Sequence, residues 1–169
     1  MTNYTLPDLQ QRVYSRLDEE TDVIEVVLSL DTNIYASGDV LAAMQEVTNV
    51  MRKEGGQATL RSIQMVDKDD QAKELDLVFM NSSGSIGTEN AAVSISDDDA
   101  DKIAGVVSIV AANYVDLLTS QIVTVPEGDA NILMESASGS KSIYVGAISR
   151  GTPTHTASGI TLKLGFIKH

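Results

Sequence analysis

The chain contains no cysteine and no tryptophan, and it has only two histidines among 169 residues. Without cysteine there is no disulfide framework and no thiolate chemistry, and the redox compartment leaves no trace in cysteine usage. With so few histidines a structural zinc centre is excluded as well. No apolar run approaches the roughly 18 residues that a bilayer-spanning helix needs, so no membrane partner is expected. The amino terminus, MTNYTLPD, lacks a basic patch followed by an apolar run, which argues against a secretory signal. Basic residues are also scarce: 12 Lys and Arg stand against 24 Asp and Glu, a net charge of −12. Such a surface repels phosphate backbones unless a local basic patch rescues it. The tightest basic grouping, Arg52-Lys53, is followed at once by Glu54, so no nucleic-acid partner is expected.

What is present describes a soluble folded protein. Hydrophobic residues make up 43% and charged residues 21%, and the length suits one domain with a small appended arm. Leu6, Leu9, Val13 and Leu17 recur at spacings of three or four, with Pro7 near the start and Asp18-Glu19-Glu20 at the end, which predicts a helical stripe. A helix this short is not stable alone in water, so it must dock on its own domain or on a neighbouring subunit. Its four apolar residues are therefore interface candidates.

From Asp22 the apolar period changes to two. Strands are expected at 23–30, 58–66, 75–80, 106–111, 114–117, 121–125, 132–137, 142–149 and 159–167, separated by turn-rich segments. The alternation slips between Leu60 and Ile63, which predicts a bulge. Ser96 followed by Asp97, Asp98 and Asp99 resembles a helix N-cap with acids in the first turn, and Ala100, Ile103 and Ala104 would form the inner face of that helix. The expected fold is all-β: an antiparallel, jelly-roll-like β-sandwich over 22–169, with one short helix and an N-terminal helical arm over 1–21. Leu77, Phe79, Val145, Leu162, Leu164 and Phe166 are expected in its core.

Reactive constellations are not apparent. His155 sits between Thr154 and Thr156 in a turn-like segment, and Ser149 lies in GAISRG, which is not a nucleophile elbow, so no catalytic triad is expected. Asp97, Asp99 and Asp101 have the alternate spacing of a calcium loop. However, Lys102 stands where the loop glycine belongs and Ser108 where the bidentate Glu belongs. The helix-cap reading explains these acids more simply. Asp67, Asp69 and Asp70 offer at most an incidental cation site. The glycine-rich segments at 84–87 and 139–142 match no phosphate loop and read as turns. Phe79 and Phe166 read as core, while Tyr35, Tyr114 and Tyr144 are candidates for a rim or interface. No catalytic, cofactor-binding or metal-binding residue is assigned, and no enzyme activity is expected.

Several segments resemble a group of tailed-bacteriophage virion proteins. The residues that carry the likeness are DTNIYASGDVL at 31–41, VDKDD at 66–70, LDLVF at 75–79, SIYVGAISRGTPT at 142–154 and GITLKLGF at 159–166. The likeness spans roughly 22–167 and leaves the Leu6–Leu17 segment outside it. It implies a decoration or cement protein on the capsid surface of the virion. Its partner would be the major capsid protein, and it would self-associate, most plainly as a trimer, with Val78 and Met80 on the second face of their strand offering apolar area to that contact. The resemblance carries over no catalytic residue. Leu6, Leu9, Val13, Leu17 and Tyr35 are the residues expected at its interfaces. The alternative within the same class is a tail or head-fibre sandwich that contacts a host glycan through loops around Tyr35 or His155.

Overall fold

The computed structural model describes residues 20–169, so the arm residues Leu6, Leu9, Val13 and Leu17 lie outside the described residues. Ten strands form two antiparallel sheets. The larger sheet runs β1 (Glu20–Val27), β10 (Ile160–Lys168), β3 (Gln57–Asp67), β7 (Gln121–Val125) and β6 (Tyr114–Asp116). A further strand, β8 (Ile132–Glu135), pairs with the first half of β3 while β7 pairs with the second. The smaller sheet runs β2 (Val40–Val47), β9 (Ile143–Ser149), β4 (Leu75–Met80) and β5 (Ile103–Ile109). The chain crosses repeatedly between sheets, which gives the expected antiparallel β-sandwich.

The period of two explains why the sheets close on each other. On β10, Ile160, Leu162, Leu164 and Phe166 face inward, and on β3 Ala58, Leu60, Ile63 and Met65 do so. From the opposite sheet Leu75, Leu77, Phe79, Ile143, Val145 and Ala147 meet them. The six residues expected in the core are all buried. The slip between Leu60 and Ile63 is also real. Opposite Gly165 and Phe166, β3 presents Ser62 and then Leu60, so Arg61 is the extra residue of a bulge. That bulge falls between the β8-paired and β7-paired halves of β3.

Two expectations need correction, and one strand lies outside the expected set. The segment VLAAMQEV, rich in good helix formers, is the strand β2, because packing against β9 and the core overrides its local preference. Its pairing with β9 shifts register twice, so its alternation is blurred in the sequence. The helix at 96 is only α1 (Asp97–Ala100). Ser96 caps it as expected, its hydroxyl accepting the Asp99 N–H at 3.2 Å. However, Ile103 and Ala104 already belong to β5. A second one-turn helix, α2 (Glu127–Ala130), follows Pro126. Finally, Val78 and Met80, read as apolar surface available to a neighbouring subunit, are buried. Together with Val40, Ile86 and Ile148 they form a second small core on the outer face of the smaller sheet. The connection after β4 folds back there, with the Ser94 N–H donating to the Ile86 carbonyl at 3.0 Å.

Phe79 is fully buried between the sheets. Truncation to Ala is expected to cost about 3–5 kcal/mol, read as a lowered urea midpoint with an unchanged slope. A loss under about 1 kcal/mol would mean that the core is not the tightly packed interior described here.

Candidate functional site

The main cluster of potentially reactive side chains lies where β3 ends. Asp67 and His155 are buried, and Asp69 is nearly so. Ligand atoms of Asp67, Asp69 and His155 lie within 4.8 Å of one another. His155 Nδ1 is 3.3 Å from Asp69 Oδ2 and 3.8 Å from Asp67 Oδ1. The carboxylates, however, are already engaged by the chain. Asp67 accepts the backbone N–H groups of Asp69, Gln71 and Ala72 at 2.9–3.0 Å. Asp69 accepts the Thr156 N–H at 2.8 Å and the Thr156 hydroxyl at 2.9 Å. Gly159 lies so close that a Cβ there would overlap Asp69 Oδ2.

Chemically, this arrangement is a clasp. Two carboxylates turn the chain sharply after β3 and pin the 150–159 loop beside it. The Asp/Asp/His donor set has the ligand types of a divalent-cation site, but its oxygens are spent on chain donors. Nor does it resemble a triad. The neighbouring Thr156 hydroxyl donates to the Asp69 carboxylate, and the fully buried Ser149 hydroxyl donates to the Gly151 carbonyl at 3.0 Å. Sequence reasoning placed the acids 67, 69 and 70 together. It missed His155, which lies 86 positions from Asp69 and carries no local spacing signal. Asp70 turns instead to Gln121, whose amide donates to it.

Tyr35, a candidate for a rim or interface, is packed inside the chain. It is 1% exposed. Its hydroxyl accepts the Asp31 N–H at 2.6 Å and donates to the Leu41 carbonyl at 3.0 Å, while its own N–H donates to the Pro153 carbonyl at 3.0 Å. A tyrosine among Asp, Asn, Ser and Gly reads as a loop residue. Here it instead locks the loop to the sandwich end. Tyr114 is half-buried and donates to the Lys73 carbonyl.

The remaining candidate is a surface, the outer face of the larger sheet. Because Val26, Leu162, Met65 and Val123 point to the core, their neighbours point away. The registers align Val27, Thr161, Val66, Ile122 and Val115 in one row across five strands. At about 4.8 Å per strand the row is about 19 Å long. Val27 is 42% and Val115 57% exposed, Val66 and Ile122 are half-buried and Thr161 is buried, while Leu117 and Leu118 are exposed at the β6–β7 turn. Leu118 is the most exposed of these, at 86%, and adopts φ 79°, a left-handed conformation costly for leucine. The Asp116 carboxylate accepts its N–H at 2.7 Å and holds it there. Towards the other end of the same face, Thr21, Ile167, Thr59 and Leu133 form a second row, with Val23 beside it. A polar belt of Glu25, Lys163, Gln64 and Thr124 separates the two.

No family model matches this chain, and no curated protein matches it. Among solved structures it is similar to a chain in the structure of deformed wing virus carrying the GFP gene, at 7% identity and a TM-score of 0.37, over 99% of this chain and 85% of that one. It is similar to a chain of Desmodium yellow mottle tymovirus at 10% and 0.29, over 88% and 81%. It is also similar to the VP2 subviral particle of infectious bursal disease virus at 10% and 0.36, over 89% and 33%. Likeness at these levels carries no argument about activity or partner, so the functional reading rests on the chain's own residues.

Tyr35 and Tyr114 generate a pH dependence. Burial, and then the charges of Glu89 and Asp31, hold the Tyr35 phenol above its ordinary value of 10.0. Burial, and then Asp67 and Glu74, do the same for Tyr114. Above that ordinary value the unfolded chain releases phenolic protons that the folded chain retains. The stability they contribute is therefore complete below about pH 10 and falls as pH climbs towards the folded values. In urea titrations between about pH 9 and 11 the wild-type chain should lose stability, and Tyr35→Phe should lose it less steeply. Equal slopes would show that Tyr35 ionises freely.

Proposed function

We propose that this chain is a non-enzymatic structural component of a virus particle, a decoration or cement protein that binds the outside of an assembled capsid. The observation that carries the reading is the apolar row from Val27 to Leu117. It lies on a rigid, acidic sandwich whose best cluster of reactive groups is consumed in holding a loop. A flat sheet face carrying a row of β-branched side chains offers contact area with little side-chain entropy to lose, which suits a repeating partner surface. The acidic exterior keeps copies soluble at high local density and complements basic patches on a partner. The resemblance of the 31–41, 66–70, 75–79, 142–154 and 159–166 segments to tailed-phage virion proteins supports the same assignment. Under it the partner is the major capsid protein, and self-association into a trimer belongs to the same reading. The glycan-binding alternative loses Tyr35 as an aromatic platform, because that ring is buried.

Co-sedimentation with purified shells of the matching capsid tests the reading. The wild-type chain should pellet with shells, and Val115→Lys with Leu117→Lys should abolish this while the urea midpoint stays unchanged, since both residues are more than half exposed. A wild-type chain that stays in the supernatant at every shell concentration would sink the capsid reading.

A further inference from the structure

The hairpin between β6 and β7 ends in a loop whose conformation does not suit its residues. Asp116 and Gln121 are the last paired positions, and the Leu117 N–H donates to the Ser120 carbonyl at 2.9 Å, which leaves Leu118 and Thr119 at the apex. Leu118 has φ 79°, whereas Thr119 does not have a positive φ. A left-handed first residue followed by an ordinary second one is the pattern of a type II′ turn, where the first residue is usually glycine. A leucine there carries the steric cost of its Cβ. The Asp116 carboxylate offsets part of that cost by accepting the Leu118 N–H at 2.7 Å.

Leu118 has little packing within its own chain to set against this strain. At 86% it is the most exposed large hydrophobic side chain among the described residues. Glycine or asparagine at this position would relax the backbone and take apolar surface out of water. The stability and the solubility of the isolated chain both favour that exchange, so the leucine points to a contact outside the chain. Strain held in place by a neighbouring side chain also presents the leucine in one orientation, which lowers the ordering cost of binding.

The surroundings indicate what it meets. Val115 and Leu117 on the same hairpin are more than half exposed, so the tip continues the apolar contact proposed above. At the base of the hairpin stand Asp116 and also Asp70, which accepts the Gln121 amide. The turn after β3, reached through the Asp67–Gln121 pair, adds Asp67, Asp69 and Lys68, so this end is net acidic. We infer that Leu118 is the anchor of the capsid contact, entering an apolar pocket of leucine size on the capsid subunit that is bordered by basic side chains. The inference rests on the capsid reading and adds the residue that fixes its register. A flat apolar row can slide over a partner, whereas one protruding side chain fits its pocket in a single place.

Co-sedimentation with shells of the matching capsid, paired with urea unfolding, tests it. Leu118→Asn and Leu118→Gly both tolerate the left-handed backbone. Each should bind shells at least about tenfold more weakly than the wild type, while its urea midpoint stays level or rises. Leu118→Met keeps the apolar volume and should bind within about threefold of the wild type. Raised salt should weaken wild-type binding, because it screens the charges around the pocket. Full-strength pelleting of the Asn and Gly variants overturns the anchor and leaves the capsid reading standing, whereas a wild-type chain that never pellets overturns both. Lowered midpoints in both variants also overturn it, since Leu118 would then be supporting its own chain. Self-association lost in Leu118→Asn with shell binding intact would overturn it too, by assigning the tip to a second copy.

Discussion

Strand β10 is the constraint on which the rest of the sandwich depends. It lies between β1 and β3, and its inward residues Ile160, Leu162, Leu164 and Phe166 are at most 1% exposed. A one-residue slip of β10 would turn that set outward and put Thr161, Lys163 and Gly165 into the core. Its register is therefore strongly specified. The same register decides what the outer face carries, because Thr161 and Ile167 are the members of the two apolar rows on β10. The burial that stabilises the fold thus fixes the composition of the surface behind it. The buried Thr161 hydroxyl, which has no partner, is a local cost of that arrangement.

One end of the sandwich is held differently. The Asp67, Asp69 and His155 clasp binds the turn after β3 to the loop before β10, and a backbone hydrogen bond from Tyr35 to Pro153 ties the loop after β1 to the same segment. The clasp carboxylates pair with backbone N–H groups that irregular chain cannot satisfy for itself. The clasp also explains the glycine at 159: the carboxylate of Asp69 occupies the space a side chain would need. Acidic residues that looked like a cation site in the sequence are in this way spent on geometry. Two carboxylates near each other favour a cation only when their oxygens are not already filled by N–H and O–H donors.

The larger architecture was legible because burial on one face writes a period of two into the sequence. The alternation in residues 75–80 and 159–167 led directly to β4 and β10, and the break near Leu60 to a bulge. Where both faces are covered, the signal changes. Val78 and Met80 looked like surface because alternation distinguishes one face from the other but does not report a loop folded over the second. VLAAMQEV was not among the expected strands for a different reason: its strand state comes from tertiary pairing with β9, which leaves no local mark. The Asp69–His155 contact and the two outer rows join residues far apart in the chain. They emerge only once the register is known.

Charge and apolar area act over different distances, and their combination decides what this surface can do. A net charge of −12 repels other copies of the chain beyond contact range and attracts basic surfaces, with a reach of about 8 Å at physiological salt. It does not select an orientation. The apolar rows act only at contact, and they lie on one face, at opposite ends, with Glu25 and Lys163 between them. Long-range repulsion therefore opposes casual self-association, while contact between apolar side chains acts only on the face that carries the two rows. Among the described residues the Asp67, Asp69 and His155 groups hold loops in place, and the larger sheet presents a partly apolar outer face.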